Sequence, residues 1–346
     1  MSTPALTTAI TQARDLLRWR SPLRTELWAS RLMAGLEPGE ARGFVQELVE
    51  TGRPETRLTL AALAAVATGA APAATAEPDT TITEPDAVVA PDLYTAHGAE
   101  ARDALPVWVR RMGQVDCDGA WYGKADRHGQ QTLAALSFRY RDGKEPHVLI
   151  VAVDQVGGGL AVDALVEEPK FLDDLSLEAA EPGVVAGRIL DALELTDRVM
   201  GAAVADTYPA VRPFALARAV TVPDPVRPAP DDTLSRFDDL PAMKGADEAF
   251  AKLAEFIGDR PLWWSPGRVS QFLTSWLPRE AILSPDAIAA MPDVVRAWSR
   301  FAGADPDVLR QVDADAPRLA ALMADESLAG FGKRLARSRP RPQDED

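Results

Sequence analysis

The run His147 to Val153, HVLIVAV, is apolar at almost every position and is bounded by turn residues on both sides. A strand of that kind tolerates water on neither face, so other elements must cover both sides of its sheet. WYGKAD, QTLAALSFRYR and GLAVDALVEE are further β-like runs, separated by Asp126-Arg127-His128-Gly129, Arg141-Asp142-Gly143-Lys144 and Val156-Gly157-Gly158-Gly159. Turn chemistry at that spacing predicts an antiparallel meander. The stripe Val185, Ile189, Leu193 and Met200 predicts a covering helix over residues 183–200, and a second is expected over 208–220. The expected fold class is therefore α+β.

Both flanks have a helical period. Ser21-Pro22 reads as an N-cap followed by proline at the first helical position, with Leu23, Leu27, Trp28 and Leu32 recurring until Gly35. Helices are also predicted over 5–19, 40–51 and 54–68, which makes 1–69 a small helical domain. Towards the C-terminus, Ser265-Pro266, Ser284-Pro285 and Asp305-Pro306 repeat the same start. Helices are expected there over 246–257, 267–276, 286–290, 293–301, 307–312 and 317–336, as a domain spanning 243–336. The stretch 70–103 is acidic and rich in Ala, Pro and Thr, which predicts a linker. A Pro/Asp-rich connector is expected over 223–242 and a disordered tail over 337–346, leaving 104–222 as the α+β domain.

The 346 residues carry 52 acidic and 37 basic side chains, for a formal charge of −15. That balance opposes nucleic acid and anionic lipid as partners. Its distribution is uneven, with +1 on residues 1–69 and −6 on 70–103. Arg14, Arg18, Arg20, Arg24 and Arg31 face only Asp15 and Glu26 in the first thirty-five residues, so Arg14, Arg18 and Arg24 are candidates for an anion-recognising surface. Trp263 and Trp264 are a second candidate surface; the competing reading is that they staple the helix they precede. A single cysteine, Cys117, excludes an internal disulfide and a thiolate zinc cage. Its neighbours Asp116 and Asp118 should raise its pKa. With an N-terminus that lacks a signal-peptide pattern and no long apolar run, the expected location is the cytoplasm, with no membrane contact.

Chemistry, if any, should gather at the meander. Asp116, Asp118 and Asp126 surround its first strand, His147 opens the third, Asp154 ends it and Asp163 lies in the fourth. Asp154 and Asp163, with His147, are the catalytic candidates; Asp116, Asp118 and Asp154 are the candidates for Mg²⁺. Strand register decides between these and plain turn chemistry. If Asp154 lies opposite Leu160, alternation sends Asp163 to the other face, whereas a bulge in 157–159 would bring the two together. No phosphate loop, nucleophile elbow or dinucleotide fingerprint is present, so no cofactor is expected.

The blocks RSPLRTELWASRLMAGL, HVLIVAVDQVGGGLAVDALV and LWWSPGRVSQFLTSWLPREAILSPDAIAAMPDVVRAWSRFAG resemble a family of uncharacterised actinobacterial proteins. That resemblance implies the order helical, meander, helical, and carries no activity. In its pattern a histidine often follows the strand-end aspartate; here Gln155 stands in that place, which removes an Asp–His pair. The expectation is a non-enzymatic cytosolic protein that binds or regulates a protein partner. The first alternative is an Asp-based, Mg²⁺-dependent hydrolase or nucleotide-binding enzyme at the meander, and the second is nucleic-acid binding through the N-terminal arginines.

Overall fold

A computed structural model describes residues 4–67, 90–229, 232–258 and 264–338. Trp263, the first part of the acidic stretch and nearly all of the C-terminal tail lie outside the described residues. The chain forms two compact units: Met1–Gly123 with Leu133–Val153 and Leu160–Arg227, and Lys124–Thr132 with Asp154–Gly159 and Pro228–Asp346.

In the first unit, helices α1 (Pro4–Trp19), α2 (Pro22–Ala34), α3 (Pro38–Thr51) and α4 (Pro54–Ala67) follow the predicted period. Ser21 caps α2, its hydroxyl accepting the Arg24 N–H. Helix α4 is buried all round from Leu58 onward, because its Ala-rich surface lets neighbours approach from every side. One of those neighbours is unexpected. The last part of the stretch read as linker is helix α5 (Ala90–Asp103), which packs along α4 and buries Tyr94 and Ala101. A Cβ on Gly98 would stand 2.2 Å from that of Ala64, so the two helices meet through a small-residue contact. Contacts between small residues bury a helix without giving its sequence an apolar stripe.

The sheet carries strands β1 (Val115–Lys124), β2 (Gln131–Tyr140), β3 (His147–Asp154), β4 (Leu160–Glu167) and the short β5 (Glu178–Ala179), in the order β4-β3-β2-β1-β5. The four predicted strands thus form the expected meander, and β5 adds an antiparallel edge through Trp121 opposite Ala179. Both faces of β3 are covered. Leu149, Val151 and Val153 share a cluster with helices α6 (Pro182–Arg198) and α7 (Tyr208–Thr221). Val148 and Ile150 meet Leu172, Leu175 and Leu177 of the connection before β5. On β4 both Ala161 and Ala164 enter the first cluster, so strict alternation breaks at Val162–Asp163.

Pro213 lies inside α7, and the helix survives because Ser30 of α2 enters its ladder. The Ser30 hydroxyl donates to the Ala210 carbonyl at 2.7 Å and accepts the Phe214 N–H at 3.1 Å. It stands between two groups that an unbroken helix would join directly.

The same pair of helices holds the deepest polar group of the unit. Arg218 of α7 and Glu26 of α2, both fully buried, form an ion pair. Glu26 also accepts the Tyr140 hydroxyl and the Gly113 N–H. Arg218 donates to the Tyr140 oxygen at 3.0 Å and through Nε to His147 Nε2 at 3.1 Å, and its guanidinium lies 4.2 Å from the Phe214 ring centroid. Helix α2, η1 (Val107–Arg111) through the following Gly113, strands β2 and β3, and α7 are thereby tied to one point.

In the second unit, helices α8 (Ala246–Ile257), α9 (Pro266–Gln271), α10 (Leu277–Glu280), α11 (Pro285–Phe301), α12 (Pro306–Asp315), α13 (Leu319–Ala324) and α14 (Phe331–Ser338) enclose an aromatic core around Phe237, Phe272 and Trp298. Ser265, Ser284 and Asp305 cap α9, α11 and α12 as expected. Two boundaries differ from the sequence expectation. Residues 286–290 and 293–301 are one helix, because Met291, Val294, Val295 and Trp298 keep one buried face through Pro292. Residues 317–336 are not one helix but α13 and α14, separated by the 3₁₀ turn Glu326–Leu328 that Asp325 caps.

Removing one side of the buried pair leaves the other charge stranded. Glu26→Gln or Arg218→Met should therefore cost about 3–5 kcal/mol in urea unfolding. The combined Glu26→Gln and Arg218→Met should cost less than the sum of the two single changes, the sign of a coupled pair.

Candidate functional site

His147, a catalytic candidate from the sequence, sits in the buried network. Its Nδ1 lies 2.9 Å from the Glu145 carbonyl, and Nε2 faces the Arg218 Nε–H. A carbonyl can only accept and a guanidinium can only donate, so the ring is neutral with its proton on Nδ1. Burial, and then the positive charge of Arg218, lower its pKa to about 4. Burial and the Glu26 carboxylate push the Tyr140 phenol well above its ordinary value, which keeps it an O–H donor. Burial alone would disfavour the Arg218 charge, but Glu26 outweighs it. Glu26 and Arg218 were missed by sequence reading. A lone Glu and a lone Arg in amphipathic helices give no signal of pairing.

The carboxylates of the meander are each engaged locally. Asp154 belongs to the second unit and accepts the Val156 N–H at 2.9 Å within its own turn. Asp163, in the first unit, accepts the Ala164 N–H and the Thr207 hydroxyl, at 2.8 and 2.9 Å. Asp116 and Asp118 pair across to Arg141 and Arg139 at 3.8 and 3.6 Å. Asp126 folds its turn by accepting the His128, Gln130 and Gln131 N–H groups. Gln155 donates to the Thr132 hydroxyl at 2.9 Å. The Cys117 thiol has a raised pKa, by burial first and by Asp118 as a lesser cause.

Among the described residues, His128, Asp305 and Asp307 form one group whose ligand atoms all lie within 4.8 Å of one another. Arginines already occupy it. Arg127 spans both carboxylates at 3.1 and 3.3 Å, and Arg310 pairs with Asp307. Two guanidinium charges balance two carboxylates, so a divalent cation would have to displace one of them. The group fastens the β1–β2 turn to the start of α12 within the second unit, as Arg268 fastens the β3–β4 turn by donating to the Val156 carbonyl at 2.9 Å. Trp264 likewise has a packing role: its indole donates to Ser299 at 2.9 Å against the aromatic core.

The arginine surface is rearranged relative to the sequence reading. Arg14 pairs with Glu55 at 3.2 Å and Arg18 with Asp15 at 3.7 Å. Arg24 instead stacks over Trp19, 5.3 Å from the ring centroid. Between α1 and α2 runs a groove of about 310 Å³ lined by Gln12, Asp15, Leu16, Trp19, Arg24, Leu27, Trp28 and Arg31. Trp19 is 60% exposed, and Gln12 accepts the Trp28 indole N–H at 2.7 Å. Two indoles, two leucines and two arginines share this lining with Asp15, which pairs with Arg18.

Two measurements check these assignments. The lowered His147 pKa means that the unfolded chain, with the usual value near 6.5, binds more protons than the folded chain between pH 6.5 and 4. Stability should thus fall as pH drops through that window, by up to about 3 kcal/mol, and His147→Gln should flatten the fall. Titration with Mg²⁺ or Zn²⁺ should leave Tm unchanged, since a cation held by the folded state would raise it.

No family model matches the sequence, and no curated protein or solved structure matches it either. The functional reading therefore rests on the residues themselves.

Proposed function

We propose that this is a non-enzymatic, cytosolic protein that recognises an acidic, apolar segment of a protein partner through the α1–α2 face. The observation that carries the reading is the Trp19–Trp28 groove with its arginine rim, and above all the exposure of Trp19. An exposed indole beside arginine combines the two residue types most enriched among binding hot spots. On a chain of net charge −15, a local cationic surface attracts an acidic segment while the rest of the molecule repels it, which selects orientation. The non-enzymatic part of the reading is supported by His147, Asp154 and Asp163, whose acid–base groups are each engaged in local structure. No helix among the described residues is long and apolar enough to cross a membrane.

Calorimetric titration with a short acetylated peptide alternating Glu with Leu and Phe tests the reading. Binding is expected to weaken with added salt, and by about tenfold or more in Arg24→Glu combined with Arg31→Glu. Equal binding by that variant, or preference for a DNA or RNA oligonucleotide over the peptide, would overturn it.

A further inference from the structure

A second groove, of about 620 Å³, adjoins the first through Trp19. Its lining includes Trp19, Arg20, Val107, Trp108, Arg111 and Lys144, all within the first unit. Three independent observations mark it. Trp108 lines the groove while only 7% exposed, and its buried indole N–H has no hydrogen-bond partner. A buried donor left without an acceptor is costly. Arg20 and Lys144 have no ion-pair partner among the described residues, whereas Arg111 is held by Asp142. Arg20 and Glu145, both lining the groove, are two of the three non-glycine residues with positive φ among the described residues, at 54° and 48°. The Glu145 carboxylate is turned to the start of α2, where it accepts from the Ser21 hydroxyl and the Leu23 N–H, and its single charge leaves the two cations Arg20 and Lys144 in excess. The apolar part of the lining is open, with Val107 76% exposed.

We infer that this groove binds a carboxylate side chain, together with the apolar residue next to it, from the same acidic partner segment that docks between α1 and α2. Arg20 and Lys144 supply the charge, and Trp19, Trp108 and Val107 receive the apolar neighbour. The inference rests on the docking proposed above. Trp19 forms a wall of both grooves, so one extended segment can fill them in succession. An arginine-and-lysine lining fits an oxygen anion, and the acidic peptide is the source that the neighbouring groove favours.

The test follows indole N–H signals by NMR in the full chain while a Glu/Phe peptide is added, with the Trp108 signal identified from Trp108→Phe. The Trp108 and Trp19 signals should shift on titration and stay still with a Lys/Phe peptide. Lys144→Glu, at an exposed position, should weaken binding by about tenfold. Arg20→Asn, which keeps a residue tolerant of left-handed backbone, should weaken it several-fold. If the Trp28 signal shifts and Trp108 does not, the second groove is refuted while docking between α1 and α2 stands. If neither shifts, both proposals fall. A response only to a phosphoserine version of the peptide, or binding by Lys144→Glu as tight as by the unaltered chain, also overturns the inference.

Discussion

The fold of the first unit depends on one buried charge pair, Glu26 with Arg218. Carrying two ions into a low-dielectric interior is tolerable only if nearly every polar atom finds a partner. Glu26 meets this with Tyr140 and the Gly113 backbone, and Arg218 with Tyr140 and His147, while its Nη1 finds no hydrogen-bond partner and the guanidinium lies over the face of Phe214. Each partner comes from a different element. Moving any one of α2, β2, β3 or α7 would strand a charge, so the N-terminal helices and the meander cannot separate at low cost. This is why the N-terminal helices and most of the sheet, distinct in composition, fold as one compact unit. Phe214, Leu23 and Val166 pack across the same junction.

The pair also explains why His147 is a positioning group in the core. An imidazole held between a carbonyl and a guanidinium has both nitrogens committed and its charge suppressed. The same logic applies at the surface turns. Of the aspartates read as candidate ligands, Asp154 accepts a turn N–H, and Asp116 and Asp118 pair with arginines. Arg20, Arg31 and Lys144, which have no ion-pair partner among the described residues, line the two grooves with the exposed ring of Trp19 and the Arg24 stacked on it. Net charge alone points away from this surface, because the acidity of the whole chain hides a local excess of the opposite sign.

Much of the architecture was legible because it is local. The Ser-Pro and Asp-Pro starts at Ser21, Ser265, Ser284 and Asp305 each became a capped helix, since the capping hydroxyl or carboxylate and the N–H it accepts are two or three residues apart. The four strands followed from apolar runs between turn residues. Helix α5 was missed because it is buried by Gly98, Ala101 and Tyr94, a contact of small residues with little apolar signature. The continuity of α11 through Pro292 was missed for the opposite reason, since burial of its face overrode a local breaker. Of the candidate surface, the arginines were legible as an excess, but their sorting into paired and free groups was not. Glu55, which neutralises Arg14, lies 41 residues away.

The sequence by itself determined the class of fold: most of the helical segments, the four long strands, the capped helix starts, and that both faces of the central strand must be covered. It did so because periodicity, caps and turns act over a few residues. Only the tertiary structure decided which charged groups are structural and which are available to a partner. Glu26 meets Tyr140 across 114 residues and Arg218 across 192, separations at which no local pattern constrains one residue by another. Burial, and not residue type, turned those groups into the core of the first unit and left Trp19 with its neighbouring cations facing outward.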